Sequence, residues 1–127
     1  LIKRVIGVPG DTVSLVNNEL IINGKKLNYE HGQNNIDSVD KVEILNGKKH
    51  TIRIANVPSQ LAGFEMITIP DDYYLAMGDN RDNSADSRVI GLIPRGELLG
   101  KANKVIVSLD YDNYYIPRKE RVLLSLN

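Results

Sequence analysis

The polar segment GDNRDNSADSRVIG, residues 78–91, concentrates the side chains of this sequence that could do chemistry. It holds three aspartates, two arginines, two serines and two asparagines. Interleaved acidic and basic side chains can form bidentate ion pairs that hold one loop conformation. The segment could therefore be a rigid platform that presents the hydroxyl of Ser84 or Ser87 to a reactive neighbour. Composition alone favours the other interpretation, a well-hydrogen-bonded turn without chemistry.

Lys3 is the second candidate. It stands in LIKRVIGV, residues 1–8, whose branched apolar side chains predict a β-strand. Alternation along a strand places Leu1, Lys3 and Val5 on one face. Burial disfavours an ammonium group, and a lysine that is neutral at working pH can act as a general base. The other interpretation is that the stem covers apolar surface while the charged end stays in water.

The composition excludes several other kinds of site. The chain has 127 residues and no cysteine, so disulfides, thiolate metal sites and a cysteine nucleophile are impossible. His31 and His50 have no partner at metal-ligand spacing, and no metal site is expected. The sequence has no G-x-S-x-G, which argues against a nucleophile elbow. It has no Walker-type loop and no G-x-G-x-x-G either, and no cofactor is expected. Lys plus Arg equal Asp plus Glu at 16 each, which gives no electrostatic case for a nucleic-acid partner.

The beginning of the sequence suggests a longer parent. It opens at LIKRVIGVPGD, without a methionine and already within a strand pattern. We therefore expect that the chain was cut from a longer protein. The sequence contains no run of 18 apolar residues, the length needed to span a bilayer, and no signal peptide is visible.

Strand patterns dominate the rest of the chain and predict an all-β fold class, a folded antiparallel sheet or barrel. Asn-Asn and Asn-Gly pairs separate several of the segments and predict hairpin turns. Only PRGELLGK, residues 94–101, predicts a helical turn. The predicted strands cover residues 1–8, 12–16, 19–23, 42–45, 50–54, 64–69, 72–77, 104–109 and 121–126.

The middle of the chain differs in composition. Residues 28–41 are polar and rich in turn-forming side chains, and the hairpin at 42–54 follows them. We therefore predict one domain over residues 1–127, with a core of 1–27 and 68–127 and a β-ribbon insertion at about 28–67.

Two segments together carry a family resemblance. LIKRVIGVPGD (1–11) and GDNRDNSADSRVIGLIP (78–94) resemble two signature boxes of bacterial type I signal peptidases, membrane-anchored serine proteases that cut signal peptides from exported proteins. The second box is long and specific, and the first is weaker alone. The resemblance implies a largely antiparallel β fold with an inserted β-ribbon, which agrees with the strand patterns. It also implies a Ser-Lys dyad, a variant of the serine-protease mechanism.

The resemblance assigns roles by position. Lys3 matches the general base, and Ser84 matches the serine whose hydroxyl orients that lysine. Ile2 matches a position that lines the pocket for small substrate side chains. Arg4 is the usual companion of the lysine and receives only a structural role. The residues that support the site are Asp79, Arg81, Asp86 and Arg88.

One part of the family pattern is missing. The nucleophilic serine of the family lies in a box upstream of the lysine, after the membrane anchor. None of the serines in this chain stands in such a motif. The chain is therefore expected to lack the nucleophile and to be inactive alone, while its parent is a signal peptidase.

The resemblance also implies partners and a location. The substrates would be signal peptides of exported preproteins, bound beside the first strand by strand addition. The parent would lie in the plasma (inner) membrane, with its catalytic domain on the periplasmic or extracytoplasmic side. Copies of the truncated chain could pair through an exposed strand edge. Two alternatives are a non-catalytic peptide-binding or scaffolding homologue of the same fold and a self-cleaving repressor-type protein.

Overall fold

Short antiparallel strands make up most of the structure, a computed structural model that describes residues 2–57, 59–98 and 104–106. The described part of the chain contains eleven strands, one helix of four residues and three short 3₁₀ turns. The all-β fold class predicted from the sequence is therefore confirmed. The strands are β1 (Ile2–Gly7), β2 (Thr12–Val16), β3 (Glu19–Ile22), β4 (Lys25–Lys26), β5 (Asn28–Asn34), β6 (Ser38–Leu45), β7 (Lys48–Ala55), β8 (Phe64–Thr68), β9 (Tyr73–Met77), β10 (Ile93–Pro94) and β11 (Lys104–Ile106).

The strands form three sheets. One sheet has the order β10-β9-β1-β11, the second has the order β4-β3-β2-β8, and the third has the order β5-β6-β7. Every pairing between named strands is antiparallel. The helix α1 (Ser87–Ile90) and the 3₁₀ turns Gln60–Ala62, Arg81–Asn83 and Arg95–Glu97 lie between strands.

The hairpin turns follow the local sequence. Asn17-Asn18, Asn23-Gly24 and Asn46-Gly47 connect consecutive strands of the second and third sheets, and all six residues have positive φ angles between 49° and 80°. Two central residues with positive φ define the type I′ turn, which favours Asn and Gly and matches the twist of the paired strands. The hairpin predictions at these positions are confirmed.

The main core draws residues from all three sheets. It includes Ile6 of β1, Val13 of β2, Leu75 and Met77 of β9, and Leu45 of β6. Ala76 points to the opposite face of β9 and packs in a smaller cluster with Ile90, Ile93 and Val5. β9 is therefore buried on both faces, which holds the chain firmly at the point where the polar segment begins.

The pairing of β1 with β9 brings the two candidate segments together. Arg4 lies opposite Met77, the last residue of β9, so Gly78 follows directly where the pairing stops. On its other side, β1 pairs with β11, and Lys3 lies opposite Val105. The first three residues of β1 and the start of the polar segment are thus neighbours in space.

The third sheet extends beyond its predicted strands. β5 spans NYEHGQN, a polar segment that the sequence patterns did not mark as a strand, and pairs along β6. The predicted insertion at about 28–67 stays a prediction. The third sheet covers residues 28–55 of it, and β8, which begins at Phe64, pairs with β2. The predicted strand at 121–126, the end of the one at 104–109 and the end of the helical turn at 94–101 lie outside the described residues.

Candidate active site

Lys3 and Ser84 are in direct contact. The Lys3 Nζ donates a hydrogen bond of 2.9 Å to the Ser84 Oγ. Lys3 is the second residue of β1, and Ser84 follows the 3₁₀ turn Arg81–Asn83 in an extended conformation. Lys3 is half-buried and the Ser84 residue is 5% exposed. An amine hydrogen-bonded to a buried hydroxyl has a defined direction, which a proton acceptor requires.

Gly78 makes this contact sterically possible. A Cβ at this position would overlap the Ser84 Oγ, and it would lie 2.7 Å from the Ser84 Cβ and 3.3 Å from the Lys3 Nζ. Real Cβ atoms essentially never come within 3.0 Å of such atoms, so a larger residue would push the serine or the backbone away. The glycine at the start of the polar segment is therefore a part of the site that the sequence reasoning did not single out.

Asp86 and Arg88 form a buried bidentate ion pair. The Arg88 Nε donates to Asp86 Oδ1 at 2.9 Å, and Nη2 donates to Oδ2 at 2.8 Å. Asp86 also accepts the backbone N–H of Gly78 at 2.8 Å and that of Arg88 at 3.1 Å. Burial alone raises the pKa of Asp86. The hydrogen bonds and charge of Arg88, with the two backbone N–H groups, outweigh burial, so this pKa lies below its usual value of 3.8.

Arg81 pairs with a carboxylate outside the polar segment. Its Nη1 and Nη2 donate to Glu43 Oε2 and Oε1 at 2.9 and 2.7 Å, and its Nε donates to the carbonyl oxygen of Gly78 at 2.9 Å. Both charged side chains are fully buried. The interleaved charges of residues 78–91 therefore do not pair only with one another, because Arg81 reaches the third sheet.

Glu43 is the centre of a second buried network. Its Oε2 accepts from the Tyr29 hydroxyl at 2.5 Å, and its Oε1 lies 2.8 Å from the His50 Nε2. Burial raises the pKa of Glu43, but hydrogen bonds from His50 and Arg81, the charge of Arg81 and the Tyr29 hydroxyl together lower it from 4.5 to about 2. Burial and the neighbouring charge of Glu43 raise the pKa of Tyr29 above its usual value of 10. The carboxylate is therefore ionised and the phenol neutral.

Arg4 and Asp79 form a bidentate ion pair nearer the surface. The Arg4 Nε and Nη2 donate to the two oxygens of Asp79 at 3.1 and 3.0 Å, and the Asp79 side chain is 42% exposed. The pair joins β1 to the first turn of the polar segment, beside the Lys3–Ser84 contact. This contact suits the structural role that the sequence reasoning gave to Arg4.

The polar segment is also tied to residues 55–61. Asp82 accepts the N–H of Ala55 at 2.7 Å and the hydroxyl of Ser59, and the Arg88 Nη1 donates to the carbonyl oxygen of Leu61 at 2.7 Å. The Ser87 hydroxyl accepts the N–H of Ala76 at 2.9 Å. Ser87 is therefore engaged with the backbone of β9, and Ser84 is the hydroxyl that meets Lys3.

Ile2 lies in β1 opposite Ile106 of β11. On the side of β1 that faces β9, pairing begins at Arg4. Within the described residues, Ile2 and Lys3 thus have a strand neighbour on one side only.

No group of three or more His, Asp or Glu side chains among the described residues could hold a metal ion. No helix in the same part of the chain is long and apolar enough to cross a membrane.

A lysine amine directed at a serine hydroxyl, inside an antiparallel β fold and braced by buried ion pairs, suggests a proton-transfer site of the serine-peptidase type. Comparison with known proteins agrees. A sequence model of the family described as "Signal peptidase, peptidase S26" matches residues 1–107. The chain belongs to this family, and the prediction from the two boxes is confirmed.

Two relatives show the extent of the similarity. Signal peptidase I P of Bacillus subtilis subsp. natto is 37% identical over 111 residues, which cover 86% of this chain and 52% of that protein. Signal peptidase IB of Staphylococcus aureus strain N315 is 37% identical over 102 residues, which cover 80% of this chain and 50% of that protein. The chain thus spans about half the length of the curated relatives it matches.

Proposed function

We propose that this chain supplies the general-base part of a type I signal peptidase, a serine endopeptidase that cleaves signal peptides from exported preproteins with a Ser-Lys dyad. The observation that carries the proposal is the hydrogen bond of 2.9 Å from the Lys3 Nζ to the Ser84 Oγ. In the proposed reaction, the Lys3 amine takes the proton of an attacking serine hydroxyl and returns it to the leaving amine. Ser84 keeps the lysine nitrogen pointed at that hydroxyl.

The attacking serine is proposed to lie in the parent protein outside these 127 residues. The hydroxyls of Ser59 and Ser87 already have other partners, because Ser59 donates to Asp82 and Ser87 accepts from Ala76, and the family resemblance gives Ser84 the role of orienting Lys3. An attacking serine also needs oxyanion donors beside it. The 127-residue chain alone is therefore proposed to be inactive.

The substrate is proposed to bind along β1. An extended peptide can pair with a strand edge through main-chain hydrogen bonds while its side chains enter adjacent pockets. The free side of Ile2 and Lys3 among the described strands offers such an edge, next to the Lys3 amine. Ile2 would then help to select small substrate side chains. Ile2→Ala in the full-length protein should broaden cleavage-site choice, as read by mass spectrometry of the products.

In this proposal the parent lies in the plasma (inner) membrane, with these residues on the periplasmic or extracytoplasmic side, where exported preproteins emerge. The Lys3–Ser84 contact is the observation that favours an enzyme over a peptide-binding homologue. A protein that only binds peptides does not need a lysine amine hydrogen-bonded to a serine hydroxyl. A scaffold of this fold should bind signal peptides without cleaving them.

The test compares the full-length protein with variants in a signal-peptide cleavage assay. We expect the wild type to cleave at the signal-peptide boundary, and we expect Lys3→Ala to lose roughly 10²- to 10⁴-fold in kcat/KM, the usual contribution of a general base. Lys26→Ala is the matched control, because Lys26 pairs with Glu19 on the exposed side of β3 and β4. Full activity of Lys3→Ala would refute the role of Lys3.

The isolated chain provides a second arm. If it folds, as judged by circular dichroism, and still cleaves the substrate at the full-length rate, the nucleophile lies within these residues. Ser84 would then be the first candidate, and Ser84→Ala in the isolated chain would decide it.

A further inference from the structure

The peptide units on either side of Gly78 are held by two different ion pairs. Its N–H donates to Asp86, which is paired with Arg88, and its carbonyl oxygen accepts from Arg81, which is paired with Glu43. All four charged side chains are buried. The two ion pairs therefore hold the backbone of one residue by hydrogen bonds to its N–H and to its carbonyl oxygen.

Gly78 lies against the Lys3–Ser84 contact and leaves no room for a side chain. A Cβ on Gly78 would lie 3.3 Å from the Lys3 Nζ and would overlap the Ser84 Oγ. A small displacement of the Gly78 backbone must therefore change the distance or the angle between the amine and the hydroxyl. The position of Gly78 sets the geometry of the site.

One of the two ion pairs, Arg81–Glu43, has its carboxylate in the third sheet. Tyr29 of β5, Glu43 of β6 and His50 of β7 lie directly opposite one another in the strand register, and we call these three residues the buried row. Neighbours in such a row have their side chains on one face of the sheet. Tyr29 and His50 thus reach the Glu43 carboxylate from both sides, and Arg81 completes its set of partners.

We propose that Glu43 is a positioning residue of the active site, which holds the Gly78 carbonyl through Arg81 and so sets the contact between Lys3 and Ser84. This inference rests on the proposed function. It assigns a role in the reaction to a residue of the third sheet, which neither signature box contains. Among the described residues, Glu43 forms hydrogen bonds and ion pairs with Tyr29, His50 and Arg81 and none with Lys3 or Ser84, so its effect passes through Arg81 and Gly78.

The four hydrogen bonds that three side chains make to Glu43 leave the carboxylate hard to replace. Each of its oxygens accepts from one nitrogen of Arg81, and each has a second partner, the Tyr29 hydroxyl for Oε2 and the His50 ring for Oε1. A glutamine would turn one acceptor into an NH₂ donor that faces an Arg81 N–H in either orientation. The guanidinium would then lose one of its two bonds and would turn, taking its contact with Gly78 along.

The experiment measures signal-peptide cleavage by the full-length protein that carries this chain. Glu43→Gln should lower kcat by roughly 10- to 100-fold, the cost of misplacing catalytic groups by a fraction of an ångström to one ångström. KM should change by less than about twofold, because the hydrogen bonds of Glu43 go to Tyr29, His50 and Arg81 and not to the proposed substrate edge of β1. Glu43→Asp keeps the charge and should recover a part of kcat.

A matched control separates positioning from lost stability. Leu45→Ala removes a buried core side chain two residues further along β6 and leaves all partners of Glu43 in place. It should lower the melting temperature while kcat, measured well below that temperature, stays at the wild-type value. If Glu43→Gln behaves like Leu45→Ala, with lower stability and unchanged kcat, the positioning role is refuted.

The inference and the proposed function can fail separately. If the wild type cleaves, Lys3→Ala is inactive and Glu43→Gln keeps kcat, only the role of Glu43 is lost. If the wild type does not cleave, or Lys3→Ala remains fully active, the proposed function is overturned and the role of Glu43 with it.

Discussion

The Lys3 Nζ lies 2.9 Å from the Ser84 Oγ, although the two residues are 81 positions apart along the chain. The contact forms because β1 and β9 pair up to Arg4 and Met77, which leaves Lys3 beside the chain that leaves β9. Gly78 then lets that chain pass close to the amine. Backbone pairing sets the approach, and the absence of a side chain on Gly78 allows the final contact.

Ser84→Ala in the full-length protein should reduce kcat/KM less than Lys3→Ala does. The alanine removes the hydrogen bond that orients the amine but leaves the proposed base present, so we expect a loss of roughly 10- to 100-fold. Steady-state cleavage of a signal-peptide substrate measures it. Ser14→Ala, on β2, is the control and should keep the wild-type rate. A loss for Ser84→Ala as large as that for Lys3→Ala would instead suggest that Ser84 takes part in the covalent chemistry.

Gly78→Ala should disrupt the site, because its Cβ would overlap the Ser84 Oγ. We expect a loss of about 1–3 kcal/mol in the free energy of unfolding, typical of overpacking, and a loss of cleavage in the full-length protein. Gly96→Ala is the matched control, since a Cβ there meets nothing within 4 Å and its φ is not positive. Urea denaturation of both variants checks the prediction. Equal stability and activity of the two variants would show that the close approach at Gly78 has no consequence.

Asp86→Asn should destabilise the fold strongly. It leaves the buried guanidinium of Arg88 without its counter-charge, which costs about 3–5 kcal/mol when one partner of a buried pair is removed. Asp40→Asn breaks the pair with Arg53, whose side chain is 54% exposed, and should cost much less. The urea midpoints of the two variants test the prediction, provided that the slope of the free energy of unfolding against urea concentration is unchanged. Similar midpoints would contradict it.

The buried carboxylates should make the protein sensitive to acid. The folded-state pKa of Glu43 is lowered from 4.5 to about 2, and the pKa of Asp86 also lies below its usual 3.8. Carboxylates with lowered pKa values contribute stability above their unfolded-state pKa and lose it as the pH falls toward the folded-state value. For Glu43 this contribution is about 3 kcal/mol at neutral pH and is lost between about pH 5 and pH 2.

Glu43→Gln tests this acid dependence. The free energy of unfolding of the variant should fall less steeply between pH 5 and pH 2 than that of the wild type, whatever its stability at neutral pH. Glu30→Gln is the control, because Glu30 pairs with Lys49 on the surface, and it should keep the wild-type slope. Urea denaturation at a series of pH values measures the slopes. Parallel curves for wild type and Glu43→Gln would rule out the contribution of Glu43.

The fold was accessible from sequence where the signal is local. The three turns at Asn17-Asn18, Asn23-Gly24 and Asn46-Gly47 could be predicted because only a few residue types adopt positive φ, and most of the strands that they join were predicted as well. β5 was not predicted from the sequence, because NYEHGQN is largely exposed and has no alternation of apolar and polar residues. Its strand state comes from backbone pairing with β6, which local sequence does not reveal.

The site divides in the same way. The two boxes were enough to predict the family, Lys3, Ser84 and the supporting charges, because their residue types and order are specific. No local signal marked Glu43 as the partner of Arg81, since it is one acidic residue in a strand and 38 positions away. Only the tertiary structure decides that pairing. A buried guanidinium needs a carboxylate partner, and the fold determines which carboxylate lies within reach. It also decides the tight fit of Gly78, which depends on how two distant segments pack and not on what either segment contains.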